Sequence, residues 1–365
     1  MPINAKPRVL HVVGARPNFM KIAPVLRALE SEGRVENVLL HSGQHYDDNM
    51  SESFFRDLDI RPPDVYLGVG SGTHGKQTAE VLRGTEAILL EGEWAMVVVV
   101  GDVNSTLAAA LAATKLGIPV AHIEAGLRSH DRAMPEEINR ILTDQIADLC
   151  LTPSRDGNEN LAAEGIPPER IVFVGNVMID TLLHTIEEVR QGPLPVPGLT
   201  RGSYVVATLH RPSNVDDPAQ LGEILSALET IAEDVEVVFP VHPRTAQAME
   251  KANLKLRRVR VLGPMGYKEM LGLQAGAGAV LTDSGGIQEE TTVLGVPCLT
   301  LRSTTERPIT IEQGTNRLVP VRSKKAILEA FHEVWGHHGD PRRPEGWDGK
   351  ASVRIAEAIH AKLGV

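Results

Sequence analysis

Two α/β domains, each a parallel sheet with helices on both faces, are the fold this sequence predicts. Three observations carry the prediction. The chain is 365 residues long, about twice an ordinary domain. Short continuous apolar runs alternate with stretches of helical spacing along most of its length, the pattern of strands buried on both faces. Residues 191–198 read QGPLPVPG, too rich in Pro and Gly for the interior of an element, and the alternation restarts after them.

The first apolar run, 8–13, reads as a strand. Gly14-Ala15-Arg16-Pro17 breaks it, Pro17 suits the first turn of a helix, and residues 20–29 carry helical spacing. Further strands are expected at 35–40, 95–100, 119–123 and 148–151, with a helix at 105–116. Beyond the break, strands are expected at 204–209, 235–241, 258–262, 279–282 and 296–301. There is no repeat period and no low-complexity tract.

Composition narrows the function. The hydrophobic share is 42% and the charged share 23%, as in ordinary globular proteins. The longest apolar run, 95–100, falls far short of the ~20 residues of a membrane helix, and no apolar signal core opens the chain, so a cytoplasmic protein is expected. Cys150 and Cys298 lack metal-ligand spacing and read as buried thiols, so neither a disulfide framework nor a metal is expected. With 37 Lys and Arg against 47 Asp and Glu, a net charge of −10, and 4% aromatics, extended nucleic-acid binding is disfavoured. An anionic ligand would need a local cluster of cations and backbone amides.

Open sheets bind ligands at the carboxyl ends of their strands, so with two sheets the expected site is a cleft between them. After the first strand, Arg16 and Lys21 flank a helix start, where free amides and the dipole favour an anion. Gly-x-Gly-x-x-Gly does not follow this strand and the second ends in His41-Ser42-Gly43-Gln44 rather than an acid, which disfavours a dinucleotide cofactor. The glycines at 68, 70, 72 and 75 read as a loop. Gly101-Asp102, then His122-Ile123-Glu124, then Pro135-Glu136-Glu137 place Asp102, Glu124 and Glu136 at element ends on one edge. Asp102 alone could be a helix cap, and Glu136 with Arg140 a surface pair.

In the second half, His210-Arg211 and His242-Pro243-Arg244 end two strands. The strongest local signal is Thr282-Asp283-Ser284-Gly285-Gly286, leading into a helix that carries Glu290: bare amides suited to phosphate, and an acid one turn in that suits a ribose. Arg307 adds a cation to the rim.

Taken jointly and in order, Gly14-Ala15-Arg16-Pro17 with Lys21, Gly101-Asp102, residues 122–128, Pro135-Glu136-Glu137 with Arg140, residues 283–290 and Thr305-Glu306-Arg307-Pro308 closely resemble the non-hydrolysing UDP-N-acetylglucosamine 2-epimerases. Val174-Gly175-Asn176 with Ile179-Asp180, and residues 348–352, extend the match over nearly the whole chain. The resemblance implies a GT-B arrangement of two Rossmann-like domains, at 1–175 and 176–351, with 352–365 crossing back to the first. It also implies a homodimer, no cofactor, and interconversion of UDP-GlcNAc and UDP-ManNAc. Carried over by position, the catalytic residues are Asp102, Glu124, Glu136 and His210. The substrate-binding residues are Arg16, Lys21, Arg140, Ser284, Gly285, Gly286, Glu290 and Arg307. An activating second UDP-GlcNAc, known in part of the family, would lie near Gln44, His45, Arg211 and His242. Many members read His-Arg-Arg-Glu where this chain has His210-Arg211-Pro212-Ser213, so one cation is missing.

The sugar C2 proton is not next to a carbonyl, so its removal needs departure of the leaving group. Loss of UDP from C1 gives 2-acetamidoglucal, and re-addition with protonation on the other face gives the epimer. That chemistry needs a base and an acid, a cradle for diphosphate charge, and exclusion of water. Which carboxylate is base and which acid stays open. So do three rivals: a hydrolysing epimerase, a GT-B glycosyltransferase, and a catalytically silent nucleotide-sugar sensor.

Overall fold

The computed structural model describes residues 6–43, 57–337 and 340–365. The chain divides into two compact units, residues 1–181 with 345–365, and residues 182–344. The border falls inside the helix Val177–Gln191, ahead of the Pro- and Gly-rich break.

The N-terminal unit holds a seven-stranded sheet of β1 (Arg8–Val13), β2 (Glu36–His41), β3 (Val65–Tyr66), β4 (Met96–Val100), β5 (Val120–Ile123), β6 (Leu149–Thr152) and β7 (Ile171–Phe173), in the order β3-β2-β1-β4-β5-β6-β7. All pairings are parallel. Val97 to Val100 are wholly buried because helices cover both faces, which is why the sequence there is unbroken valine. The C-terminal unit repeats the plan with β8 (Tyr204–Thr208), β9 (Glu236–Pro240), β10 (Arg260–Leu262), β11 (Ala279–Thr282), β12 (Cys298–Thr300) and β13 (Asn316–Leu318), ordered β10-β9-β8-β11-β12-β13. Strand order therefore reverses between β1 and β4 in one sheet and between β8 and β11 in the other. Those are the points where such sheets open a crevice for ligand.

Every strand expected from the sequence is present, within one or two residues at each end. The sequence pattern does not announce β3, β7 and β13. All three are edge strands of two or three residues, too short to show a period. The glycines at 70, 72 and 75 do keep the Gly-x-Gly-x-x-Gly spacing, but they follow edge strand β3 and not the central switch point. Both thiols are buried, which pushes Cys150 up to about 12 and Cys298 up to about 11. Among the described residues, no helix is long and apolar enough to cross a membrane.

The last helix, Ala351–Leu363, packs on the helix Arg16–Glu32 of the N-terminal unit. Its first amides are held by Asp180, whose carboxylate accepts from Ala351 N (3.1 Å) and Ser352 N (2.7 Å). Arg354 adds bonds to the Val174 carbonyl (2.6 Å) and the Gly346 carbonyl (3.1 Å). The two secondary signatures of the sequence, 174–180 and 348–352, thus meet at one joint.

Candidate functional site

At the first switch point the turns after β1 and β4 are tied together by Asn18. Its Oδ1 accepts from Gly14 N (3.2 Å) and Ala15 N (2.9 Å), and its Nδ2 donates to the Val100 carbonyl (2.9 Å). Gly101 follows with φ +69°. A Cβ there would lie 3.2 Å from Asn18 Nδ2, 3.3 Å from Glu124 Oε2 and 3.4 Å from Lys21 Nζ, so the glycine lets all three approach one peptide. Glu124 and Lys21 form an ion pair with each side chain 7% exposed. Glu124 itself adopts φ +72°, a conformation costing a non-glycine residue about 1–3 kcal/mol and typical of functional sites. A small cavity beside the pair is lined by Lys21, Glu124, Gly175 and Asn176.

Asp102 does not cap the next helix; Val103 holds that position. Its carboxylate takes the Arg140 guanidinium, and its carbonyl accepts from Asn139 Nδ2 at 2.9 Å. Arg140 also bonds Glu137 at 2.8 Å. Glu137 accepts from Ser129 N (2.9 Å), Ser129 Oγ (3.0 Å) and His130 N (2.8 Å). Burial works to raise its pKa, but these donors and Arg140 hold the carboxyl below its usual range. Glu137 is therefore a loop clamp. Glu136, its neighbour, is half-buried on the first turn of the helix Pro135–Ile146. Arg16 opens its helix, but its side chain lies outside the described residues, as do Gln44 and His45.

At the second switch point β8 and β11 pair with Thr208 opposite Thr282, so the residues just beyond them are neighbours. Asp283, wholly buried, accepts from Arg211 N (2.9 Å), Asn214 Nδ2 (3.1 Å) and His210 N (3.0 Å). Its Oδ1 lies 2.8 Å from His210 Nδ1, while the His210 side chain stays 38% exposed. Burial opposes ionisation of Asp283, yet His210 and these donors keep its carboxyl below the usual range. An oriented histidine with an accessible outer nitrogen results. Ser284 precedes the helix Gly285–Leu294 and makes no side-chain cap bond; its own amide donates to Thr282 Oγ1 at 3.0 Å, which leaves the Gly285 and Gly286 amides of the first turn as the donors suited to an anion.

Arg307 is held by Glu306 and, at 2.8 Å, by Glu289; Arg302 bonds the other oxygen of Glu306 at 2.7 Å. A Cβ on Gly285 would stand 2.6 Å from Arg307 Nη1, so this ion cluster touches the helix start. Arg211 approaches Glu306 at 3.9 Å. His242 caps its own helix, accepting from Arg244 N at 3.2 Å, with its ring centroid 5.8 Å from that of His210. Glu290 is buried, accepts from Gln274 Nε2 at 2.9 Å, and is pushed up to about 7 by burial. Tyr267, packed against Glu290, is itself pushed well above its usual pKa by burial.

Residues 27–360 match the family model described as UDP-N-acetylglucosamine 2-epimerase. The chain belongs to the UDP-N-acetylglucosamine 2-epimerase family. A UDP-2,3-diacetamido-2,3-dideoxy-D-glucuronate 2-epimerase from Pseudomonas aeruginosa is 43% identical over 98% of this chain and 100% of that protein. A UDP-N-acetylglucosamine 2-epimerase from Methanocaldococcus jannaschii is 41% identical over 95% of this chain and 97% of the relative. The crystal structure of the M. jannaschii UDP-GlcNAc 2-epimerase in complex with UDP-GlcNAc and UDP superposes with a TM-score of 0.91. Its identity is 38%, covering 97% of this chain and 99% of that one. The fold is thus of the GT-B class, with two Rossmann-like units.

For this UDP-N-acetylglucosamine 2-epimerase family member, the structure gathers Asp102, Glu124, Lys21 and Arg140 around Gly101, and His210, Ser284, Gly285 and Gly286 around Asp283. Sequence reasoning gave no role to Asn18, Glu137, Asn139 or Asp283. Asp283 had a readable signal: it stands one residue past a strand paired with the strand that ends before His210. Asn18 and Asn139 reach carbonyls of distant segments, which no local pattern records, and Glu137 closes on a loop seven and eight residues before it.

Proposed function

We propose that the chain interconverts UDP-GlcNAc and UDP-ManNAc without net hydrolysis, by elimination of UDP to 2-acetamidoglucal and re-addition. The observation that carries this reading is the pairing at Gly101. Two carboxylates adjoin one peptide, each against a buried cation, Glu124 with Lys21 and Asp102 with Arg140. Two carboxylates at one peptide supply the pair of proton-transfer groups that work on two faces of a sugar requires.

In this scheme a carboxylate of the set Asp102, Glu124 and Glu136 takes the C2 proton as the C1–O bond to UDP breaks, and another protonates the glucal from the opposite face. Charge growing on the departing diphosphate is met by the Ser284 hydroxyl and the amides of Gly285 and Gly286, by His210 steadied on Asp283, and by Arg307. Glu290 receives the ribose hydroxyls.

The test is incubation with UDP-GlcNAc in heavy water, followed by proton NMR. Loss of the C2 proton signal with appearance of UDP-ManNAc supports the reading; accumulation of free N-acetylmannosamine would make the enzyme a hydrolysing one. Asp102→Asn should stop C2 exchange while calorimetry still finds UDP bound. A second reading, with UDP-2,3-diacetamido-2,3-dideoxy-D-glucuronate as substrate, draws on the 43% identity to the P. aeruginosa protein. The same NMR assay with both sugar nucleotides in competition decides between them.

A further inference from the structure

His122, in β5, is wholly buried and makes two bonds: Nδ1 to Asp144 Oδ1 at 2.6 Å and Nε2 to the Gly101 carbonyl at 2.8 Å. A carbonyl oxygen only accepts, so Nε2 bears a proton. Asp144, also wholly buried, receives the Arg128 guanidinium at 2.7 Å and Gly126 N at 3.1 Å on its other oxygen. Burial opposes ionisation of Asp144, but the Arg128 guanidinium lowers its pKa and two donors already occupy Oδ2, so the carboxylate too is an acceptor. Both imidazole nitrogens therefore donate. The 2.6 Å contact has the length of a charge-assisted bond.

We propose that His122 carries protons on both ring nitrogens and is a positioning residue that fixes the Gly101 peptide on which Asp102 and Glu124 are arranged. Charge balance supports it. Arg128 spans Asp144 and Glu164, the latter at 2.7 Å, so a doubly protonated His122 makes two cations against two anions. Beside the cluster stand the Cys150 thiol, neutral with its pKa up to about 12, and one further group of each sign, Arg170, whose guanidinium bonds the Asp144 carbonyl at 3.2 Å, and Asp148, so the balance is kept. The peptide is then held on every side: Gly101 N donates to the Ile123 carbonyl at 3.0 Å, its carbonyl takes His122, and the Asp102 carbonyl takes Asn139. A displacement of about 1 Å at a reacting group can cost 10²-fold in rate.

The role in catalysis rests on the proposed epimerase reading; the proton assignment does not. The experiment has two arms. In the first, ¹⁵N NMR of the intact parent protein should show both His122 nitrogens protonated, as their two acceptors require; an unprotonated nitrogen resonance would overturn the assignment. In the second, H122Q keeps a donor near the Nε2 position and H122N keeps one near Nδ1. H122Q should retain at least about tenfold more kcat than H122N, with KM near that of the parent in both and the pH–rate profile of H122Q unchanged in shape. Equal losses in the two variants, or a loss carried by KM, would overturn the positioning role. A parent that fails to exchange the C2 proton would defeat the epimerase reading and leave the NMR result standing.

Discussion

The Arg140 guanidinium is shared by Asp102 and Glu137, so one buried cation joins a carboxylate of the proposed reaction site to the clamp on Ser129 and His130. Removing it strands the buried Glu137 charge as well as freeing Asp102. Loss of one partner from a buried ion pair costs about 3–5 kcal/mol. Arg140→Met should therefore lower both Tm and kcat, whereas Arg140→Lys, which keeps the charge but not the two-pronged geometry, should lower kcat more than Tm. Thermal melts and kcat for the pair of variants check this; an unchanged Tm in Arg140→Met would contradict it.

Asp283 orients His210 through the 2.8 Å contact at Nδ1. Asp283→Asn keeps the shape but offers an amide where the ring needs an acceptor, so kcat should fall by about 10²-fold or more while UDP affinity stays near that of the parent. Calorimetry and C2 exchange separate the two. The acid limb of stability should change as well. The folded pKa of Asp283 is depressed, so its contribution is complete above the unfolded value near 4 and is lost as pH falls through the folded value. The Asn variant should accordingly show a flatter fall in Tm below about pH 4.

Much of this arrangement is legible in the amino-acid sequence, because a doubly wound sheet places function at strand ends. Asp102, Glu124, His210 and Ser284 each stand just beyond a strand whose apolar run is unmistakable. Restraint is less legible than placement. By spacing alone, Arg140 could be a surface partner of Glu136, four apart on a helix; the structure buries it and gives it Asp102 and Glu137. Lys21 reads as an anion ligand, and the structure pairs it with Glu124. In both cases the deciding partner comes from another segment of the chain, and one-dimensional spacing carries no record of it.

Glu290 makes a prediction of the opposite sign to Asp283. Its folded pKa, pushed up to about 7 by burial, lies above the ordinary 4.5. Between those values the native state keeps a proton that the unfolded chain has released, so stability is complete below the unfolded pKa and is lost as pH rises through 7. Glu290→Gln removes the titration and keeps an acceptor for Gln274. The Tm of this variant relative to the parent should rise from about pH 5 to about pH 8 in the absence of nucleotide, while its UDP affinity falls. A Tm difference independent of pH would show that Glu290 is not held protonated in the fold.

Asp180 binds the start of the last helix as a cap from outside its own sequence, accepting from Ala351 N and Ser352 N. Burial raises its pKa, and the two amides and Arg354 oppose that rise, so the carboxylate is costly to keep there unless those donors are in place. Losing a helix cap typically costs about 0.5–2 kcal/mol. Here the loss should be local, because Ala351–Leu363 has Asp180 at its first turn and the helix Arg16–Glu32 along its length. Asp180→Ala should speed amide hydrogen exchange at 351–356 with little change in β4 or β11. Asp180→Asn, which retains one acceptor oxygen, should fall between the Ala variant and the parent. Uniform acceleration across both units would mean that Asp180 supports global stability and not this one joint.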